Sequence, residues 1–462
     1  MRLRATGLGL GIGIVRWAIV GVLLALLATA CIRGGDETPV PGVPGSTPEV
    51  ASPTAPSAQA EESGVVDLIA YVGQDSNIYT VRPDGTGQQK LTFPLAGESA
   101  SLVGGGFGTE DTIYNWPTWS PDATKIAYTA FPPDQDAVGA MFVVDVNGGL
   151  PKKLYENPPE TAGRFVATRS PHYIYWSPDS RHIAFLAPSS ENLTLFVIKA
   201  DGSEEPLVVA DGAPSYLSWS PDGRFLLHHL GGNLALVDTL GGISPTPLAA
   251  RSAAFRAPSW APDGQRIAFI DRLGGVDRLK VSDFKGGNQV VVAPVGRLSA
   301  FIWSPSDNDL AYTDITDSSD LGVFTYAGLT VYDADTSEPH RITDEELVAF
   351  FWSPDGRKLA YVAVDRVNNS LAWHVVDSRG NSRRKLTNFV PSGETLFTLF
   401  GFFDQYAYSN SLWSPDGKSL VYVGREVGAN GTGVDSVFVL PVDGSAPPRA
   451  IAEGNLAFWS PQ

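Results

Sequence analysis

The sequence predicts an all-β protein: an eight-bladed β-propeller of four-stranded antiparallel blades, closed by one C-terminal strand pairing with three N-terminal strands. Three observations carry this expectation. First, a Trp-Ser-Pro run or close variant returns at Trp119, Trp176, Trp219, Trp260, Trp303, Trp352, Trp413 and Trp459, at intervals of 41 to 61 residues. One aromatic-plus-turn signature per roughly 40 to 50 residues marks one blade per repeat. Second, each Trp is followed by short runs rich in β-branched and aromatic residues, the pattern of strands. Third, the two ends of the chain hold complementary parts of one repeat. With 48 Gly, 35 Pro and only 18% charged residues among 462, the composition suits a turn-rich β protein. Merging the degenerate unit at Trp303, where Ser306 and Asp307 occupy the turn, lowers the count to seven.

In chain order, residues 1–30 form a separate unit. Arg2, Arg4 and Arg16 precede an apolar stretch, Trp17 to Leu27, and small residues Ala28, Thr29 and Ala30 precede Cys31, the single cysteine. This is the order of a secretory signal. With the cysteine at the cut site it resembles a bacterial lipoprotein signal, although Ala28 stands where leucine is usual. That resemblance implies acylation of Cys31 and a lipid-anchored protein of the bacterial cell envelope, facing the periplasm or the exterior. A retained signal anchor or soluble secretion is the alternative. Residues 31–64 are dense in Pro, Ser, Thr, Ala, Gly and Glu and read as a disordered tether. The propeller domain spans 65–462.

Within each repeat the strand ending at the Trp is A, and the three that follow are B, C and D. At Trp260 the latter read Arg266–Ile270, Arg278–Ser282 and Gln289–Ala293; at Trp352, Lys358–Val362, Leu371–Val376 and Arg383–Thr387. The Pro-Asp-Gly between A and B is turn chemistry: Pro fixes φ, Asp caps the backbone and Gly accepts positive φ. Asp84-Gly85, Gly148-Gly149, Asp201-Gly202, Gly241-Gly242, Gly286-Gly287 and Asp443-Gly444 mark C–D hairpins. Leu456–Trp459 is a strand A with no successor, whereas Leu68–Val72, Asn77–Val81 and Gln88–Thr92 are B, C and D with no strand A. Joined, they close the ring and remove its exposed edges. The motif W-S-P-D-G-x-x-[IL]-A-[FY], followed by a hairpin with Asp-Gly, resembles the TolB-like (WD-like) propeller repeats from Val65 to the C-terminus. The resemblance implies the fold. It leaves function to the site, since this fold hosts binding modules, scaffolds and enzyme appendages.

Net charge is −17, and removal of the signal arginines leaves 30 basic against 50 acidic residues. No basic stripe is available for nucleic acid. There is no G-x-S-x-G elbow and no H-E-x-x-H motif, and the six histidines are scattered. Some TolB-like propellers are polysaccharide lyases with metal-binding histidines, a set this histidine supply does not provide. No cofactor or metal is expected.

Loop lengths sort by face. The A–B and C–D turns are short, whereas the long D–A connections (93–115, 156–173, 388–409) and B–C connections (131–139, 426–435) crowd one arc of the opposite face. Variable loops on a rigid scaffold are where sites are built. The candidate ligand-binding residues are Trp116, Arg164, Arg169, His172, Tyr173, Phe397, Phe402, Phe403, Tyr406 and Tyr408. Arg164, Arg169 and His172 suit an anionic ligand at the pore mouth. The aromatic residues of 388–409 either form a contact surface or pack a small core of their own, plugging the channel. The expected function is a monomeric, non-catalytic module binding a protein, peptide or envelope polymer. A carbohydrate-active lyase or hydrolase at the pore mouth is the alternative.

Overall fold

The computed structural model describes residues 67–93, 107–109, 111–132, 138–159, 171–189, 193–239, 245–252, 257–296, 298–315, 323–427 and 433–461. The signal segment, Cys31, the tether, Arg164 and Arg169 lie outside them.

The recurrent motif builds a recurrent turn. The Ser hydroxyl donates to the Asp carboxylate in Ser120–Asp122 (2.6 Å), Ser177–Asp179 (2.5 Å), Ser220–Asp222 (2.5 Å), Ser353–Asp355 (2.6 Å) and Ser414–Asp416 (2.7 Å). The same carboxylate accepts the backbone N–H two residues on, as from Arg357 to Asp355 at 3.1 Å. The Ser oxygen in turn accepts the first N–H of strand B, as from Lys358 to Ser353 at 2.9 Å. The turn therefore engages the Ser hydroxyl and one carboxylate oxygen of the Asp locally, which is a structural use of both side chains. The residue after Asp has positive φ: Gly356 at 67°, and also Ala123 at 55° and Ser180 at 60°, so the backbone geometry survives loss of the glycine. At Gly356 a side chain would also collide with Ser304 and Ser306 of the preceding repeat.

The repeated Trp fastens each blade to its predecessor. Its indole Nε1 donates to the carbonyl of the residue just before the previous Trp: Trp119 to Phe458 (3.3 Å), Trp176 to Thr118 (3.1 Å), Trp219 to Tyr175 (3.0 Å), Trp303 to Ser259 (3.3 Å), Trp352 to Ile302 (3.1 Å) and Trp413 to Phe351 (3.3 Å). A large apolar ring fills the space between blades while its one donor satisfies a buried carbonyl, which is why Trp rather than Phe recurs. Trp260 departs from the rule. Its Nε1 has no acceptor among the described residues, its ring stacks on Phe284 at 6.0 Å, and its backbone N–H reaches Ser218 Oγ at 3.4 Å.

Four separate four-stranded antiparallel sheets run from Ile113–Trp119 to Lys152–Glu156, from His172–Trp176 to Leu207–Asp211, from Ser215–Trp219 to Pro245–Arg251 and from Ser259–Trp260 to Val290–Val295. The other thirteen strands form one continuous ladder. They remain joined because two outer strands run on into the next inner strand and a third, Arg384–Pro391, pairs at its end directly with Ser419–Glu426. Glu338–Trp352 pairs with Tyr326–Asp333 through its first part and with Lys358–Asp365 through its last, after register shifts on both sides. Arg449–Trp459 does the same between Ser436–Pro441 and Ile69–Gly73. This last pairing, Ile69 opposite Trp459 and Val72 opposite Leu456, is the expected closure of the ring by the two ends of the chain. The eighth turn is assembled from both: Leu68 N–H donates to Ser460 Oγ (3.3 Å) and Trp459 Nε1 to Asp67 Oδ1 (2.7 Å).

Burial follows strand position. Strand B of the first unit, Ile69–Gly73, is buried along its whole length, as is Ser215–Trp219, because inner strands have neighbouring blades on both faces. Outer strands keep one face and one edge in water.

Candidate functional site

The 388–409 insertion folds as a strand end, a wide helical turn at Thr395–Phe400 and a single α-helical turn at Phe403–Tyr406. Of the two readings of its aromatic residues, packing prevails for most. Phe403 is 0% exposed, with its ring 4.9 Å from Phe350, 5.8 Å from Tyr326 and 5.9 Å from Phe351. Tyr406 is 5% exposed and lies 4.5 Å from Trp116 and 5.0 Å from Tyr173. Tyr408 accepts a hydrogen bond from the Trp303 backbone N–H at 2.9 Å, and Asn410 Nδ2 donates to Pro117 O at 3.3 Å. One segment thus touches the Trp119, Trp176, Trp303 and Trp352 units, which lie around the ring. It is a plug. Each such aromatic pair contributes about 0.5–1.5 kcal/mol beyond its buried area.

The plug meets strand A at one recurrent position, three residues before the repeat Trp. That position holds Trp116, Tyr173 and Tyr216 in three consecutive units, then Ala257, Ala300 and Ala349 in the next three. The large residues reach inward and the small ones leave room. Trp116 (φ 59°) and Tyr173 (φ 50°) both adopt left-handed backbone, with register shifts beside them at Asn115/Thr118 and His172/Tyr175. Such φ values cost a bulky residue about 1–3 kcal/mol each, and the bulges turn both rings onto Tyr406. Asn115 Oδ1 helps hold the first by accepting the Trp116 N–H at 2.8 Å.

Between the plug and the Trp176 and Trp219 units lies a narrow cleft, lined by Tyr173, Tyr175, Tyr216, Ala257, Gln405 and Tyr406 among others. Burial raises the pKa of Tyr175 and Tyr406 well above the usual tyrosine range. Burial also pushes Tyr408 up to about 12, against the lowering effect of the Trp303 N–H and the Ser259 hydroxyl. These phenols therefore stay protonated near pH 7. Behind the cleft, Ser215 Oγ lies 2.9 Å from His228 Nε2, and Tyr216 stacks on His229 at 5.7 Å. Burial, with His229 beside it, lowers His228 to about 4, so it is neutral near pH 7.

Of the candidate residues, the structure brings together Trp116, Tyr173 and Tyr406, with His172 at 5.2 Å from Tyr173. The side chains of Trp116, Phe403 and Tyr406 are buried against one another or against the core, and Tyr406 also lines the cleft. Phe397, Phe402, Tyr408, His172 and Tyr173 are half-buried and keep some surface. Sequence reasoning missed the cleft residues Tyr175, Tyr216 and Gln405. For Tyr216 the available signal was the position three residues before each repeat Trp, where aromatic residues switch to alanine. A second polar cluster also went unforeseen: Tyr361 Oη donates to Glu345 (2.6 Å) and lies 3.0 Å from His374 Nδ1, with Arg383 3.4 Å from Glu345. It joins the 338–352 strand to the two strands that follow. Among the described residues no three His, Cys, Asp or Glu side chains converge as a metal site.

No protein-family model matches the chain. The uncharacterized peptidase YuxL of Bacillus subtilis (strain 168) is 36% identical over 70 residues, which is 15% of this chain and 8% of that protein. The chain thus spans a small part of that relative's length. Among solved structures, oligogalacturonate lyase from Vibrio parahaemolyticus is similar with 14% identity, 82% of this chain and 97% of that chain covered, and a TM-score of 0.48. TolB from Acinetobacter baumannii matches with 17% identity, coverage of 77% and 84%, and a TM-score of 0.37. The β-propeller domain of the trilobed protease from Pyrococcus furiosus matches with 12% identity, coverage of 75% and 99%, and a TM-score of 0.45. At these values nothing about activity passes from those proteins to this chain.

Proposed function

We propose that the chain is an exported, membrane-anchored propeller of eight blades that acts as a non-catalytic module, binding a protein or envelope polymer on the rim around its plug. The observation that carries this reading is the plugged channel. The inner site is filled by the protein's own aromatic residues, so contacts with a partner fall to the half-buried Phe397, Phe402, Tyr408, His172 and Tyr173 and to the long loops, with Arg164 and Arg169 among them. The strain at Trp116 and Tyr173 supports it, since strained backbone is retained where it positions a surface. Eight blades follow from eight repeat tryptophans, seven of which donate Nε1 across a repeat boundary or to Asp67. Anchoring follows from Cys31. The chain enters the folded body beside Ser460, on the face of the Ser-Pro-Asp turns, which leaves the plug face clear of the entry point.

The test is quantitative cross-linking of the full chain in detergent to envelope extract. The wild type is compared with Phe397→Asp/Phe402→Asp on the plug face and with Asp263→Lys on the turn face. Loss of the same partners in the first variant alone is the expected outcome. Capture indifferent to the plug face overturns the reading, as does depolymerisation of an added polysaccharide by the purified chain.

A further inference from the structure

The outer edges of the blades are not equally protected. Most outer strands carry the charges or prolines that discourage another strand from adding: Lys90, Lys152 with Lys153, Pro245 with Pro247, Glu338 with Arg341, Arg384 with Lys385, and Arg449. Val290–Val295 carries no charge, and its single proline, Pro294, stands near its end. It is the terminal strand of its sheet, pairing among the described residues with Val276–Asp283 alone, and its sequence is Val-Val-Val-Ala-Pro-Val. Val290 is 45% exposed and Val291 50%. Such an edge offers unpaired backbone donors and acceptors beside an apolar surface. Pro294 limits the usable stretch to about its first four residues.

Two further features say what fits there. The first is charge. In a chain of net charge −17, residues 266–295 carry five basic side chains (Arg266, Arg272, Arg278, Lys280, Lys285) against three acidic ones (Asp271, Asp277, Asp283). Arg272 is paired with Asp277 and Lys280 with Asp271, but Arg278 and Lys285 have no carboxylate partner among the described residues. The other apolar outer strand, Leu207–Asp211, lies in the opposite setting: residues 193–211 hold one lysine against four acidic residues. The second is shape. An open groove of about 1050 Å³ begins at Val290 and continues between this blade and the next, floored by Phe284 and Tyr332. Lys285 Nζ lies over the Phe284 ring at 5.5 Å, and Arg266 on the groove wall reaches Asp335 at 2.7 Å. A strand laid along Val290–Ala293 would run into this groove.

We infer that the Val290–Val295 edge, with the adjoining groove, is a docking site for an acidic extended peptide that adds to the sheet as a fifth strand. Main-chain hydrogen bonds supply the affinity, and Arg278 and Lys285 select negative side chains. This surface lies on the outer circumference and is independent of the plug face.

The probe is a fluorescein-labelled, end-capped octapeptide of alternating Glu and Val, titrated with the full chain in detergent and read by anisotropy. The Lys-Val analogue is expected to bind at least tenfold more weakly. The variant Arg278→Glu/Lys285→Glu is expected to lose at least tenfold in affinity for the Glu-Val peptide and to regain the Lys-Val peptide. Strand addition further requires directionality, because only alternate residues of an added strand point their N–H groups at the sheet. N-methylation of one alternate set in the peptide therefore abolishes binding, and methylation of the other set leaves it within about twofold. Equal response to both methylated sets, equal affinity for both charge types, or no binding at millimolar peptide overturns the proposal. Self-association of the chain that is lost on Val291→Lys overturns it as well, assigning the edge to a second copy.

Discussion

His228 makes the stability of the propeller depend on pH in a way that can be worked out in advance. Its side chain is buried in the Phe225–Leu230 strand, 2.9 Å from Ser215 Oγ, and holds a pKa of about 4. In the unfolded chain the same imidazole titrates near its ordinary value of about 6.5. As pH falls below that value the unfolded chain takes up a proton that the folded protein refuses until pH approaches its own lower pKa. The stability contributed by a neutral His228 is therefore complete above the unfolded pKa and lost as pH falls through the window between the two values. Linkage gives a loss of about 2 kcal/mol between pH 7 and pH 5, with a limit of about 3 kcal/mol at lower pH. The perturbation is His228→Gln, which keeps a hydrogen-bonding side chain and removes the titration. The assay is urea denaturation of the full chain at pH 7, 6 and 5, followed by tryptophan fluorescence. The wild type is expected to lose about 2 kcal/mol more than the variant over that range. Parallel pH dependences for the two proteins, or a His228 ring resonance that titrates near 6.5 in the folded protein, would refute the reasoning.

Three other expectations follow from the fold. Trp303→Phe should destabilise by about 1 kcal/mol more than Trp260→Phe in denaturant melts, because the first leaves the Ser259 carbonyl without its donor and the second removes a group that had no acceptor. Tyr406→Ala should cost about 3–5 kcal/mol in the same melts and speed hydrogen exchange in 392–411, whereas Tyr406→Phe should cost about 1 kcal/mol, since the ring packing survives. The turn carboxylates of Asp122, Asp355 and Asp416 are raised by burial but lowered further by their Ser and backbone donors, so their net pKa lies below the usual value. They stabilise the fold above the unfolded pKa of about 4, and that stability is lost as pH falls through the folded values. Ser353→Ala should flatten this acid limb in a thermal-melt series from pH 5 to pH 3.

Much of the architecture was legible because it is local and repeated. A Ser-Pro-Asp turn ties its Ser hydroxyl and one Asp oxygen to its own backbone within six residues, so Asp355 and Asp416 behave alike wherever the motif falls. The complementarity of Leu456–Trp459 with Leu68–Val72 could be read for the same reason, since each strand carries the signature of its place in the unit. The inner strands were harder to assign by alternation, because neighbouring blades bury both faces of Ile69–Gly73. The site was legible only in part. Trp116, Tyr173 and Tyr406 stand in or beside the long connections of one face, and they do meet. Whether they meet a ligand or one another depends on where a segment nearly three hundred residues downstream comes to rest.

The sequence by itself determined the repeating unit, its turns, the pairing of its ends and the face that carries the long insertions. Each of these rests on contacts within a repeat or on a count of repeats. Only the tertiary structure decided that the 388–409 insertion closes the channel, that the indoles fasten blade to blade, and that one outer edge among many is apolar, basic and open. Those outcomes depend on which side chains from distant repeats compete for the same volume, and spacing along a chain carries no information about that competition.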